Sequence, residues 1–336
     1  MHPKLQPCTY TLLPIADTSR RFSDFQPYVA SVNDHGAVAF QAALRDGGSG
    51  VFVGSGGWVE TIIDTAGGPL REIESHPDIN NDAACCFYAG LKPGDRGVFV
   101  VRAGRLIRVA DAAGPLGPTM NGAGRVGYRL GPDSGEGGVF AGDGETTTTI
   151  AESGGRFSTF YGLPVINASG AVAFRADLTG GGQGVYVSDG RRVRAIAETG
   201  EQFTRLGYFP IHGDDGTVAF AASLRTGGSG VFVAADGDIA AVLDSTGPFE
   251  SFRGVLLNNA GRIVFYATPR EGTLGVFSGP DPRADCVIAF GAPLLGSTVA
   301  DFALNPVSIN DAGQLAIRVR LDDGRQYILR ADPSAD

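Results

Sequence analysis

The densest group of titratable side chains in the sequence is Arg71-Glu72-Ile73-Glu74-Ser75-His76. An imidazole beside carboxylates can pass a proton in either direction near neutral pH, so His76 with Glu72 or Glu74 is a candidate acid/base pair. A histidine in a loop can equally be solvated and idle. The other histidines are His2, His35 and His212. A second set is acidic: Asp17, Asp64, Asp111, Glu152, Glu198 and Asp244 each end a run of the form Ile/Val-x-Asp/Glu. On one ring, six carboxylates could bind a divalent cation such as calcium. Three points weigh against a metal. Asp or Glu before Ser/Thr and Gly is ordinary turn chemistry. No DxDxDG-type loop supplies the six to eight oxygens calcium takes. Charges on the order of 12 Å apart repel by only about 0.3 kcal/mol in water, so no cation is needed to hold them. A third set, Tyr161, Tyr208, Arg253 and Asn305, has the residue types that anchor ligands in desolvated pockets. No G-x-S-x-G, HExxH, P-loop or CxxC signature is present.

The elements that must position these groups repeat along the chain. The stretch INASGAVAFRADL (166–178) recurs, aligned on its Asn, at Asn33, Asn80, Asn121, Asn167, Gly213, Asn258 and Asn310. Successive copies lie 41 to 52 residues apart. A glycine follows three places on, with Ala83 replacing it once, and an aromatic closes the phrase, with Ile317 in the last copy. After a polar loop comes Gly-Val-Phe or a variant of it, as in Gly50-Val51-Phe52 and Gly184-Val185-Tyr186. Every apolar run is short, alternating and bounded by Gly, Asn, Asp or Pro, which is the signal of strands. No window sustains a helical period. Each unit thus holds four strands, and such units repeating every 40 to 50 residues predict a β-propeller. The last copy stops after three strands. The N-terminus carries a spare one, about 8–18, whose Leu13-Pro14-Ile15-Ala16-Asp17 matches the fourth strand elsewhere. Pairing it with the last blade (about 307–330) closes a ring of seven four-stranded blades, a single all-β domain over 1–336.

The phrase Asn-x-x-Gly-x-(Val)-Ala-Phe resembles the repeat of a family of tandem-repeat proteins named for it, the NxxGxxAF proteins, and is similar to the repeats of TolB-type propellers. The resemblance covers most of the chain and implies the fold; it implies no shared activity.

Within that ring the phrase reads as a turn and an inward strand, since Asn tolerates left-handed geometry and bonds its own backbone, and Gly213 can replace it. Function is expected where copies disagree. The connections between blades share two apolar residues three apart, such as Phe157/Phe160 and Phe249/Phe252, which read as a short helical turn or a clamp on the core. Beyond that pair each copy inserts different residues, among them Tyr161, Tyr208, Arg253 and Asn305, expected at the channel mouth. His212 is expected on an inner strand, facing the channel or the adjacent turn, and with His76 joins the candidate ligand-binding residues. Arg45, Lys92, Arg96 and Arg225 lie in loops of the same face, where they could oppose the carboxylates.

The chain has 336 residues, with 27 Lys and Arg against 36 Asp and Glu, a formal charge of -9. That balance argues against a nucleic-acid groove. No apolar run is long enough for a bilayer and no secretory leader is evident, so a cytoplasmic chain without a membrane partner is expected. Cys8, Cys85, Cys86 and Cys286 show no ligand spacing, and Cys85–Cys86 reads as buried strand. The leading expectation is a non-catalytic binding propeller holding a peptide or small polar ligand at the channel mouth. A tailoring hydrolase, lyase or cyclase with its active site at the same mouth is the rival. A platform for a protein partner, which requires a contiguous exposed apolar patch, is the third.

Overall fold

A computed structural model describes residues 5–112, 114–131 and 137–334; His2 lies outside them. Seven antiparallel sheets follow one another along the chain. Blades 1 to 6 span 22–64, 72–110, 119–152, 157–198, 203–244 and 249–289, and blade 7 spans 293–333. The fold is the seven-bladed propeller that the repeat predicts. The N-terminal strand Tyr10–Asp17 pairs antiparallel with Gln326–Pro333 and completes blade 7 as its outermost strand. Among the described residues the one helical element is a 3-10 turn, Pro306–Ser308, and no helix is long and apolar enough to cross a membrane.

The phrase makes the turn between first and second strands. The Asn33 Oδ1 accepts from the backbone N–H of His35 and Ala37, and the same bonds recur at Asn80 and Asn167. Its third position is left-handed: Gly36 has φ 73°, and Ala83 holds φ 58° at that place, a geometry that favours glycine. The side-chain Nδ2 then does something the sequence does not announce. It donates across the seam to a carbonyl of the next blade: Asn33 to Asn80 O (3.1 Å), Asn80 to Gly122 O (3.4 Å), Asn121 to Asn167 O (3.0 Å) and Asn167 to Gly213 O (3.4 Å). Asn258 bonds Asn310 O and Asn310 bonds Asn33 O, both at 2.8 Å, which joins last blade to first. Gly213 leaves the step from blade 5 to blade 6 without this bond. There Asp214 N donates to Asn259 Oδ1 (3.0 Å), and Asp215 Oδ1 takes the Thr217 N–H that an Asn would have taken. A second, more exposed ring runs outside the first through Asp34, Asn81, Asp214, Asn259 and Asp311.

The aromatics fill the seams. In blade 4, Phe157, Phe160, Phe174 and Tyr186 pack with ring centroids 4.8–5.7 Å apart; blade 1 does the same with Phe22, Phe25, Phe40 and Phe52. The residues three apart are not a helical turn. They belong to the first strand, whose register slips between Phe157 and Thr159, as it does between Phe22 and Asp24 and between Phe249 and Ser251. A bulge inserts one residue, so positions i and i+3 face the same side. The glycine of Gly-Val-Phe is required by close approach: a Cβ on Gly50 would sit 2.6 Å from the Phe52 ring and 2.9 Å from Ile63 O. Cys85 and Cys86 are fully buried strand residues, with their thiols pushed up by desolvation.

The Asn310 side chain donates across the closing seam from a buried position, whereas the Asp34 carboxylate accepts there, from Asp311 N, at an exposed one. Asn310→Ala is expected to lower stability by about 2–4 kcal/mol and Asp34→Ala by less than about 1 kcal/mol, read from urea midpoints. Equal losses would contradict the ring of buried amides as the closure.

Candidate functional site

The two mouths of the channel differ. One is formed by the Asn turns of all seven copies and opens into a space of about 210 Å³ that includes Asp78 and His212. His212 is buried there, its Nδ1 without a partner and its pKa lowered by desolvation. The other mouth is formed by the connections between blades and carries Tyr161, Tyr208, Arg253 and Asn305. The residues singled out as ligand-binding are therefore split: His212 faces the opposite mouth from these four.

The acid/base pair is not assembled. His76 is buried with Nδ1 3.4 Å from Pro77 O and Nε2 unpartnered, packed so tightly on Gly117 that a Cβ there would lie 2.5 Å from Nε2. Burial lowers its pKa to about 4, so the ring is neutral. Glu74 is half-buried and bonded to Arg96 at 2.6 Å, and Glu72 lies in the strand segment paired with Gly90. The buried titratable group that sequence reading missed is Asp78. Its carboxyl accepts from Ile79 N (2.8 Å) and from Met120 N of the next blade (2.7 Å), and desolvation raises its pKa to about 7.

The six acidic residues end the outermost strands of different blades. Asp17, Asp64 and Asp244 accept N–H groups of the following turn. Asp111 pairs with Arg108, and Glu198 with Arg156 and the Tyr186 hydroxyl; Glu152 closes Thr147–Glu152. Among the described residues no three His, Cys, Asp or Glu side chains gather as a metal site. Nor do the loop arginines oppose these carboxylates: Arg45 donates to Arg20 O and Thr18 O, and Arg225 to Gly200 O.

The position just after the phrase's aromatic carries Gln41, Tyr88, Arg129, Arg175, Ala221, Tyr266 and Arg318. These sit on second strands, largely buried, and reach the broken middle of the first strands. Arg129 donates to Phe160 O (2.8 Å) and Gly162 O (3.2 Å) of the next blade. Arg318 pairs with Asp301 (2.8 Å), and the Tyr266 hydroxyl bonds Leu304. Arg175 is 2% exposed. Its guanidinium forms an ion pair with Asp177 (2.9 Å) and lies 4.5 Å from the Tyr161 ring and 5.0 Å from the Tyr208 ring. Its Nε and Nη1 have no partner. The signal was available: this place, next to the phrase's aromatic, varies among Gln, Tyr, Arg and Ala from copy to copy.

Among the described residues, two cavities adjoin Arg253 at this mouth, each where a copy departs from the repeat. Blade 5 has Ala221 at the polar position, and a space of about 300 Å³ opens there, bounded by Arg205, Tyr208, Phe209, Phe252 and Arg253. Between blades 6 and 7 a space of about 360 Å³ is lined by Tyr266, Phe290, Phe302 and Leu304, with Arg253 and Asn305 also on its wall. Blade 7 fills that seam with Ile317 and Leu329 where other blades have aromatics; Ile317 faces Leu329 as Phe40 faces Phe52. Smaller side chains fill less of the seam. Phe209 and Arg253 border both cavities, and the Tyr161 and Tyr208 rings, 5.9 Å apart, stand beside them. The other exposed large apolar residues, Trp58, Leu91, Leu116, Val193 and Leu295, are spread over blades 1 to 4 and 7.

No family model matches the chain, and no curated protein matches it in sequence. Its fold is similar to that of an oligogalacturonate lyase from Vibrio parahaemolyticus, with a TM-score of 0.57, 13% identity and 98% of each chain covered. It is also similar to a puromycin-hydrolysing peptidase from Mycobacterium tuberculosis, with a TM-score of 0.59, 14% identity and 99% of this chain covered against 56% of the peptidase. The chain thus spans about half the length of that peptidase. At such identities the likeness concerns the fold alone.

His76 and Asp78 titrate in opposite senses. The folded state disfavours protonated His76, so this residue adds stability as pH rises from about 4 towards 6.5. The folded state favours protonated Asp78, whose contribution is full below 3.8 and is lost as pH rises through about 7. Removing the second term in Asp78→Asn should make stability climb more steeply between pH 4 and 6.5 than in the wild type, as followed by urea unfolding. A parallel pair of curves would contradict a carboxyl that is protonated in the fold.

Proposed function

We propose that the protein is a binding propeller that holds a small polar or peptide ligand, bearing negative charge, at the mouth formed by the blade connections of blades 4 to 7. One observation carries this reading. Two cavities share the Phe209–Arg253 wall, beside a tyrosine pair set over the buried guanidinium of Arg175. Arg205 packs on the Tyr208 ring at 5.7 Å, and neither it nor Arg253 has an ion pair among the described residues. In a chain of charge -9, unpaired cations at a concave aromatic site select anions by Coulomb attraction and hydrogen bonding.

The geometry favours binding over proton transfer. His76 is neutral, buried and apart from Glu72 and Glu74 in its bonds, so the groups that would serve an enzyme at this mouth are engaged elsewhere. The scattered exposed apolar residues give a protein-docking platform no contiguous patch. The reading takes the chain as needing no metal.

A thermal-shift panel of acidic peptides and uronic-acid oligosaccharides, the latter the class named for one structural neighbour, supplies probes. Compounds that stabilise the wild type should bind Tyr208→Ala/Arg253→Ala at least about tenfold more weakly by calorimetry. Unchanged affinity in the double variant would sink the site.

A further inference from the structure

The cavity between blades 6 and 7 differs from the rest of the mouth. Its wall is apolar: Leu256, Leu274, Phe290, Phe302 and Leu304, with the Tyr266 ring stacked on Phe302 at 5.9 Å and 9°. Phe290 packs on Phe302 at 4.9 Å, giving an aromatic floor. The charged and acceptor side-chain groups near it are already engaged, with one exception. The Tyr266 hydroxyl donates to Leu304 O (3.1 Å) and accepts from Leu304 N (2.6 Å). Asp301 is neutralised by Arg318 at 2.8 Å and bonded by Gln26. Asn305 spends its Oδ1 on capping the 3-10 turn. The exception is Arg253, exposed on the wall with no hydrogen bond or ion pair among the described residues. An apolar chamber of about 360 Å³ with a single unpaired cation at its wall has the chemistry of an apolar acid.

We propose that this cavity takes the apolar group of a ligand whose carboxylate rests on Arg253: an aromatic or branched aliphatic side chain next to a carboxylate, from a small acid or from the C-terminal residue of a peptide. The inference rests on the binding reading above and assigns its specificity. The chamber is large enough for a phenyl or isobutyl group. The guanidinium fork matches a carboxylate in two parallel hydrogen bonds. The neutralised Asp301 removes the repulsion that a free carboxylate in the same wall would exert. An amide in place of the acid would lose the charge and one of the two acceptors.

The test titrates N-acetyl-L-phenylalanine, N-acetyl-L-phenylalanine amide and the tripeptide Ala-Ala-Phe into the full chain by calorimetry. The acid is expected to bind at least about tenfold more tightly than the amide. Arg253→Ala should bring the acid down to the amide's affinity and leave the amide unchanged. Leu274→Trp, at a half-buried loop position, should fill the chamber and weaken both at least tenfold, with its circular dichroism spectrum and melting temperature confirming the fold. Tighter binding of the tripeptide than of the acetylated acid supports the peptide terminus, and weaker binding supports the small acid. Equal affinities for acid and amide overturn the carboxylate assignment while leaving the mouth a binding site. No binding of either at millimolar concentration, or binding untouched by Leu274→Trp, overturns the cavity itself.

Discussion

The amide of the phrase's asparagine joins one blade to the next, and the ring depends on that bond. Its oxygen closes the local turn and its nitrogen crosses the seam, so one buried side chain sets both the end of a strand and the place of the neighbouring blade. A buried amide with all its groups used contributes about 0.5–1.5 kcal/mol per bond, and leaving any of them unmade costs more. Repetition around a closed circle turns a modest term into a constraint: no blade can slide without breaking two neighbours. At Gly213, the step without the amide, Asp215 closes the local turn and the seam keeps the outer-ring bond from Asp214 N to Asn259.

Once the Asn ring fixes one mouth, variation is confined to the other. The polar place after the phrase's aromatic shows how. Where it carries Arg129, the side chain crosses to Phe160 O and Gly162 O of the next blade and spans the seam. Where it carries Ala221 the seam opens, and it opens again where blade 7 has aliphatics instead of aromatics. Both openings adjoin Arg253. A scaffold that tolerates no slack at its turns thereby offers two adjacent chambers where its own repeat lapses.

The blade architecture was legible. The spacing of the phrase gave the blade count, and the unpaired ends gave the closure, because strand period and turn chemistry are local properties. The bulge was not legible. Phe157 and Phe160 at a spacing of three read as a helical turn, and only the register against Leu178 and Ala176 shows one inserted residue. The placement of the candidate residues was half legible. Tyr161, Tyr208, Arg253 and Asn305 do share a mouth, since each follows the bulged start of a first strand in its own blade. His76 was misplaced and Asp78 missed: nearness in sequence made His76 a partner for Glu72 and Glu74, while the real surroundings of the two, Gly117 and Met120, belong to the next connection and blade, more than 40 residues on. Arg175 was passed over because an arginine inside a strand reads as solvent-facing.

The account's central claim is that turns make the ring and lapses in the repeat make the site. A crystallographic fragment soak with a mixed panel of carboxylate-bearing and neutral compounds tests it most directly. The account predicts electron density for carboxylate fragments at the mouth between Tyr161 and Asn305, against Arg253. Density gathered at the opposite mouth, among the Asn turns around Asp78 and His212, with the Arg253 chambers left to water, would contradict it.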